Sequence, residues 1–186
     1  MIVRLLAFVV LVALFMSPAA AQTEKALDEI RIGVFGQSWG GPGSDKEQTP
    51  SVNIEALFRS PRFLSVIGAP RPHLGATIAT DFDATHQFYG GLEWDVSLGD
   101  KFFAAAGAGL AVHTGETKFD PVADAARAAD TVFLGCRVLF RLSADVGYRV
   151  SERARLSLHV DHLSNAGICS PNEGLDNAGL RLGYSF

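Results

Sequence analysis

With 186 residues and a formal net charge of −4, the chain is sized for one domain and carries no basic run of the kind a nucleic-acid partner requires. Its cysteines, Cys136 and Cys169, stand in no Cys/His cluster of zinc spacing, so the sequence implies no metal site.

In chain order, the first segment reads as a processing signal and not as part of the fold. Arg4 precedes an apolar run from Leu5 to Met16, and Ala19-Ala20-Ala21 then supplies an Ala-x-Ala end. These are the parts of a secretory signal peptide. The apolar run is short of the ~20 residues that a transmembrane helix needs. The expected layout is a signal peptide over 1–21, cleaved after Ala21, and one domain over 22–186. Export permits a disulfide between Cys136 and Cys169, and two free thiols are the open alternative.

Past the signal, apolar residues alternate with polar ones in short runs, the period-two mark of strands. Ile30, Ile32 and Val34 alternate with Arg31 and Gly33; Val52, Ile54, Ala56 and Phe58 with Asn53 and Glu55; Leu74, Ala76 and Ile78 with Gly75 and Thr77. Phe88, Leu92, Trp94 and Val96 alternate with Tyr89, Glu93 and Asp95, and a small apolar run covers Phe102 to His113. A strand predicted over Leu134–Val150 puts Cys136, Val138, Phe140, Leu142, Ala144, Val146 and Tyr148 on one face. Leu156, Leu158 and Val160 follow, and Leu180 to Phe186 closes the chain. Together these make about eight strands, the smallest bacterial outer-membrane barrel.

Connections alternate in length. Gly99-Asp100 and Ser151-Glu152-Arg153 are tight turns, whereas Gly40–Ser51, Thr114–Thr131 and Leu163–Asn177 are long. Short periplasmic turns and long extracellular loops are the pattern of a transmembrane barrel. Arg59–Arg71 breaks it, being long where a short turn is expected. The inward parity carries Glu93, Asp95 and Asp145 against Arg137, Arg141, Arg149, Arg155 and Arg181, a set expected to pair as a polar core that fills the lumen. His159 belongs with that core, while His86 and His113 read as rim or loop residues.

One segment carries chemistry. His162 and Ser164 are two residues apart on a strand, on one face and ~7 Å apart along it, so an imidazole can serve a hydroxyl as base. Their parity matches Leu156, Leu158 and Val160, so both face outward; the outward parity of the last strand extends back to Asp176. Asp176 is therefore the acid expected to orient His162, with Glu173 in reserve, and Asp161 faces inward. The strand climbs from the Ser151–Arg153 turn, which places the group near the outer-leaflet interface, where ionisable side chains are tolerated on a lipid face.

At these residues the chain resembles the outer-membrane lipid A 3-O-deacylase (PagL) family, also described as acyloxyacyl hydrolase-like. The residues that carry the likeness are His162-Leu163-Ser164-Asn165-Ala166-Gly167 and Pro171-Asn172-Glu173-Gly174-Leu175-Asp176. The resemblance implies a serine esterase acting on an ester-linked acyl chain, at the 3-O position of lipid A. Ser164 is then the nucleophile, His162 the base and Asp176, where the family has Glu, the acid. It further implies Asn165 in the oxyanion hole, with a backbone N–H from the Ala166-Gly167 turn. No cofactor is implied. The expected partners are lipid A within lipopolysaccharide, the outer membrane, the barrel assembly machinery that reads a terminal aromatic such as Phe186, and, as an option, a second copy in a homodimer.

Counting back from the turn near Glu152 sets Cys136 opposite about residue 168, where a bond to Cys169 would pin the loop behind the site. The rival functional reading is a non-enzymatic small barrel for adhesion or membrane integrity, which shares every feature except the His-x-Ser-Asn motif with its acid. A lipocalin-like soluble barrel wants the opposite polarity, apolar inside.

Overall fold

The computed structural model describes residues 26–39 and 43–186. The expected signal peptide lies outside the described residues. The chain is a closed barrel of eight antiparallel strands in sequence order, each paired with its neighbours. They are β1 (Leu27–Gln37), β2 (Thr49–Phe58), β3 (Arg71–Ala79), β4 (Gln87–Leu98), β5 (Phe102–His113), β6 (Val138–Arg149), β7 (Ala154–Ser164) and β8 (Leu175–Ser185). β8 closes the barrel against β1, with Ile32 opposite Leu182 and Gly36 opposite Ala178.

Alternation along the strands separates two chemistries. The outward residues Ile32, Val34, Val52, Ile54, Leu74, Phe88, Leu142, Val146, Leu158, Val160, Leu180 and Leu182 are exposed apolar side chains. A wall of this kind is stable only in hydrocarbon, and strands of nine to twelve residues are long enough to cross it. This is a transmembrane β-barrel. Phe102 stacks edge-on against Tyr148, and Tyr184 against Phe186, making an aromatic fringe at the short-turn end.

The lumen is filled, in two layers. Nearer the short turns lies an ion-pair network. Arg31 donates to both oxygens of Glu93 at 2.6 and 2.7 Å, to Glu29 at 2.7 Å and to Glu55 at 3.1 Å. Arg181 bridges Glu55 and Asp145, and Arg141 donates to Asp161 at 2.8 Å. His159 lies between, with Nδ1 2.9 Å from Asp145 and Nε2 facing the guanidinium groups of Arg141 and Arg181. Nε2 also lies 3.1 Å from Asp161 Oδ2, so the ring is bracketed by the carboxylates of Asp145 and Asp161 as well as by the two guanidinium groups. Each charge here has several partners, the condition for keeping ions out of water.

The second layer is an apolar plug at the long-loop end. Val132 and Leu134 dip into the mouth and pack with Tyr89, Ala111, Leu139, Leu163 and Leu175.

Several expectations for this region are corrected. β6 begins at Val138, not Leu134, because Gly135 turns the chain at φ +75° and residues 132–134 fold inward. Arg137 therefore falls outside the barrel core and donates to the carbonyls of His113 and Gly115 in the loops. Arg149 lies at the opposite rim, bonded to the Phe102 carbonyl and Ser97. Glu29, Arg31, Glu55 and Arg71 take the central places. His113 is no rim residue: it points inward, is buried, and contacts the Cys136 carbonyl at 2.7 Å through Nε2. The anomalous connection between β2 and β3 contains a 3-10 helix, Arg62–Ile67.

Candidate active site

β7 and β8 are paired so that His162 stands directly opposite Asp176 and Leu163 opposite Leu175. The loop between the strands is accordingly shorter than expected, running from 165 to 174, and both ionisable residues belong to ladder positions. Leu163 and Leu175, the next residues of opposite parity, are fully buried in the apolar plug. The inward packing of one parity thus fixes the outward direction of the other, and with it the height of His162 and Asp176 on the wall.

His162 Nδ1 is 2.6 Å from Asp176 Oδ1. The carboxylate accepts, so the proton sits on Nδ1 and Nε2 is left as the basic nitrogen. The second carboxylate oxygen, Oδ2, accepts from the Gly43 backbone N–H at 2.5 Å. Asp176 has outward parity yet is buried, with the segments at Ser38 and at Gly43-Ser44 lying against it: Ser38 N–H donates to the Asp176 carbonyl at 2.7 Å and Ser44 N–H to the Gly174 carbonyl at 3.3 Å. Gly43 is closely enclosed: a Cβ there would stand 2.7 Å from Asp176 Oδ2 and would displace the carboxylate. Gly174 does the same for the ring, with a Cβ position 3.1 Å from His162 Cε1 and φ +73°.

Glu173, the other carboxylate considered, is engaged elsewhere. Its Oε1 meets Lys46 Nζ at 2.6 Å and its Oε2 accepts from Phe133 N–H at 2.8 Å. It is a strap between loops, and Asp176 is the acid in contact with His162.

Ser164 follows on the same outward face, at the last position of β7 and opposite Phe140 on β6. No hydrogen bond joins it to His162 among the described residues. The chain then turns through Ala166 at φ +54° and Gly167 at φ +79°. Here the assignment of Asn165 and Gly167 as oxyanion donors meets a correction. Asn165 is buried, and its Nδ2 is spent on the carbonyls of Leu134, at 2.8 Å, and Pro171, at 3.0 Å. Its Oδ1 accepts from Gly167 N–H at 2.9 Å. Both donors serve the turn, which makes Asn165 the bolt that holds it. The Ala166 N–H has no acceptor among the described residues.

A disulfide joins Cys136 to Cys169, with Cα atoms 5.6 Å apart. It ties the plug segment to the turn that follows Ser164. Gly135 lies at this junction, where a Cβ would be 3.0 Å from Cys169 Cβ and 2.7 Å from Asn165 Nδ2.

Beside the His162–Asp176 pair the wall has a depression of about 440 Å³. The ladder explains it. Gly36, Ala178, Val160, Ala144 and Ala106 are successive partners across β1, β8, β7, β6 and β5, so small side chains make a trough in the outward row. Trp39 lies over Gly36, its ring filling the space a Cβ would need, and bounds the trough toward the long loops. Neither Trp39 nor Gly43 was marked as functional from sequence. The Gly40-Gly41-Pro42-Gly43 run was the available signal.

Comparison with curated protein sequences gives no match. Among solved structures, the barrel is similar to the crystal structure of the outer membrane enzyme PagL, at 14% identity over 85% of this chain and 99% of that one, with a TM-score of 0.58. It is also similar to the crystal structure of Neisserial surface protein A (NspA), at 13% identity over 85% of this chain and 96% of that one, with a TM-score of 0.54. These likenesses concern the fold. A family model described as lipid A 3-O-deacylase (PagL) matches residues 73–185, from β3 through β8, well beyond the C-terminal motif. The chain therefore belongs to the lipid A 3-O-deacylase (PagL) family.

Proposed function

We propose that this protein is an integral outer-membrane esterase that removes the 3-O-linked acyl chain of lipid A by a Ser-His-Asp mechanism on its lipid-facing wall. The observation that carries the reading is the 2.6 Å contact between His162 Nδ1 and Asp176 Oδ1 on an outward face, with Ser164 next on that face. A buried carboxylate paired with an imidazole toward lipid has little structural purpose, because polar groups there cost stability.

In this mechanism Ser164 Oγ attacks the acyl carbonyl as His162 Nε2 takes its proton. Asp176 holds the ring and stabilises the imidazolium. The carbonyl oxygen becomes an oxyanion, for which the Ala166 N–H is the uncommitted donor. Collapse of the tetrahedral intermediate breaks the ester bond, and His162 protonates the leaving alkoxide. Water, deprotonated by His162, then attacks the acyl-enzyme and releases the fatty acid. The His162–Ser164 hydrogen bond is expected to form with substrate in place, as such bonds tighten in the reacting complex. The apolar trough across Ala178, Val160 and Ala144 is the seat for the acyl chain, and its height suits a lipid of the outer leaflet, lipopolysaccharide.

The test is mass analysis of lipid A from cells that make the wild-type protein or Ser164→Ala. Wild type is expected to yield lipid A lighter by one hydroxyacyl chain, and Ser164→Ala is expected to leave it intact while still forming a heat-modifiable barrel. Unaltered lipid A in cells with folded wild-type protein would refute the proposal and favour a non-enzymatic barrel.

A further inference from the structure

The connection between β2 and β3 is long where a barrel needs only a tight turn. It packs as a defined body: Arg59 N–H donates to the Ala26 carbonyl at 3.0 Å, and the 3-10 helix Arg62–Ile67 follows Pro61. Gly68, at φ +91°, ends the helix, and Ala69 N–H returns to the Leu64 carbonyl at 2.9 Å. No residue of this helix is buried. Phe63 is 74% exposed, Val66 86% and Ile67 49%. Three large apolar side chains on one turn are a poor face to offer water.

Where the helix sits explains them. Arg71, the first residue of β3, pairs with Glu93, so Trp94 to Leu98 on β4 run on with no β3 partner while still paired to β5. The connection lies along that open edge. Trp94 Nε1 donates to the Ile67 carbonyl at 2.7 Å, and Gly68 approaches the same ring. Trp94 is on the outward parity, and below it, toward the short turns, the wall continues with exposed Val96, Leu98 and Phe102. At ~3.4 Å per residue and a strand tilt of ~40°, Trp94 is about 10 Å above Leu98. The helix is therefore fastened beside the lipid-facing wall, level with residues that themselves require lipid, and not beneath the barrel.

We infer that residues 59–70 form an interfacial foot seated in the inner leaflet, with Phe63, Val66 and Ile67 among phospholipid acyl chains. Continuity with the apolar wall selects lipid over a protein partner as the occupant. Exposed Arg62, next to Phe63, supplies a cation for lipid phosphate at the headgroup level. The inference rests on the membrane barrel and not on the catalytic assignment, so the two stand or fall separately.

The test uses the full mature chain reconstituted in phosphatidylethanolamine/phosphatidylglycerol vesicles. Val66→Cys and Phe63→Cys are each labelled with the environment-sensitive dye NBD, the native cysteines being held in their disulfide. Arg153→Cys, in the short turn between β6 and β7, is the water-exposed control. Both foot labels are expected to emit to the blue of the control, to be quenched by spin-labelled phospholipid, and to resist aqueous iodide several-fold better. Heat-modifiable mobility certifies that each variant is folded. If iodide reaches either foot label as readily as the control in folded protein, the inference is overturned and the helix faces water or a soluble partner.

Discussion

His162 and Asp176 face each other across the β7–β8 ladder, Nδ1 to Oδ1 at 2.6 Å, and the carboxylate's other oxygen is held by Gly43 N–H at 2.5 Å. Pair and clamp come from opposite ends of the chain, 133 residues apart. Asp176→Asn keeps the shape and removes the charge that fixes the imidazole tautomer. Deacylation is expected to fall on the order of 10³–10⁴-fold. Glu173→Gln, which loosens a loop strap, is expected to leave the rate within about tenfold. Rate measurements on the purified variants with a lipid A substrate decide between the two acids; a reversed order of effects would move the role to Glu173.

Gly43→Ala tests the clamp without touching the ladder. Its Cβ would press on Asp176 Oδ2 and on the backbone at Gly174 and Leu175. Displacement of the carboxylate by even a fraction of an ångström is expected to lower kcat about 10- to 100-fold. Thermal unfolding of the barrel should stay near that of wild type, since the loop lies outside the lumen. Equal losses of activity and of barrel stability would show that the clamp is structural only.

The Cys136–Cys169 disulfide closes a separation of 33 residues between the plug and the turn after Ser164. Reduction with a dithiol, or the double change to Ser, is expected to cost about 2–4 kcal/mol of stability in this region. Activity should drop about 10- to 100-fold as the Asn165 turn loosens, with β7 and β8 still paired. Activity assays beside limited proteolysis check this, with cleavage expected to appear within residues 165–174. Full activity after complete reduction would separate the disulfide from the site.

In the lumen, Arg31 contacts Glu29, Glu55 and Glu93. Arg31→Ala would leave three carboxylates close together without their central cation. Loss of about 3–5 kcal/mol is expected, visible as a shifted urea midpoint in detergent. Arg31→Ala with Glu93→Gln should recover part of that loss, because the two residues are directly coupled.

Much of this molecule was legible from alternation alone. A residue's face follows from its parity, so the barrel, the inward turn of His159 and Asp161, and the outward turn of His162 were all readable. Parity failed where the strand stopped. Extending it back from Val138 toward Leu134 placed Arg137 and Cys136 on barrel faces, whereas the strand begins only at Val138, the backbone turns at Gly135 and the residues before that glycine dive into the mouth. Asn165 was misjudged for a related reason. A motif gives the order of residues but not the acceptors around them, and the carbonyls of Leu134 and Pro171 capture its amide. Trp39 and Gly43 were invisible because their roles arise only when β8 closes on β1.

The filled lumen has one more consequence. Arginine–carboxylate contacts in one layer and packed apolar side chains in the other occupy, among the described residues, the space a channel would need. The folded barrel is therefore expected to add no ion conductance to a bilayer that holds it, which single-channel recording checks.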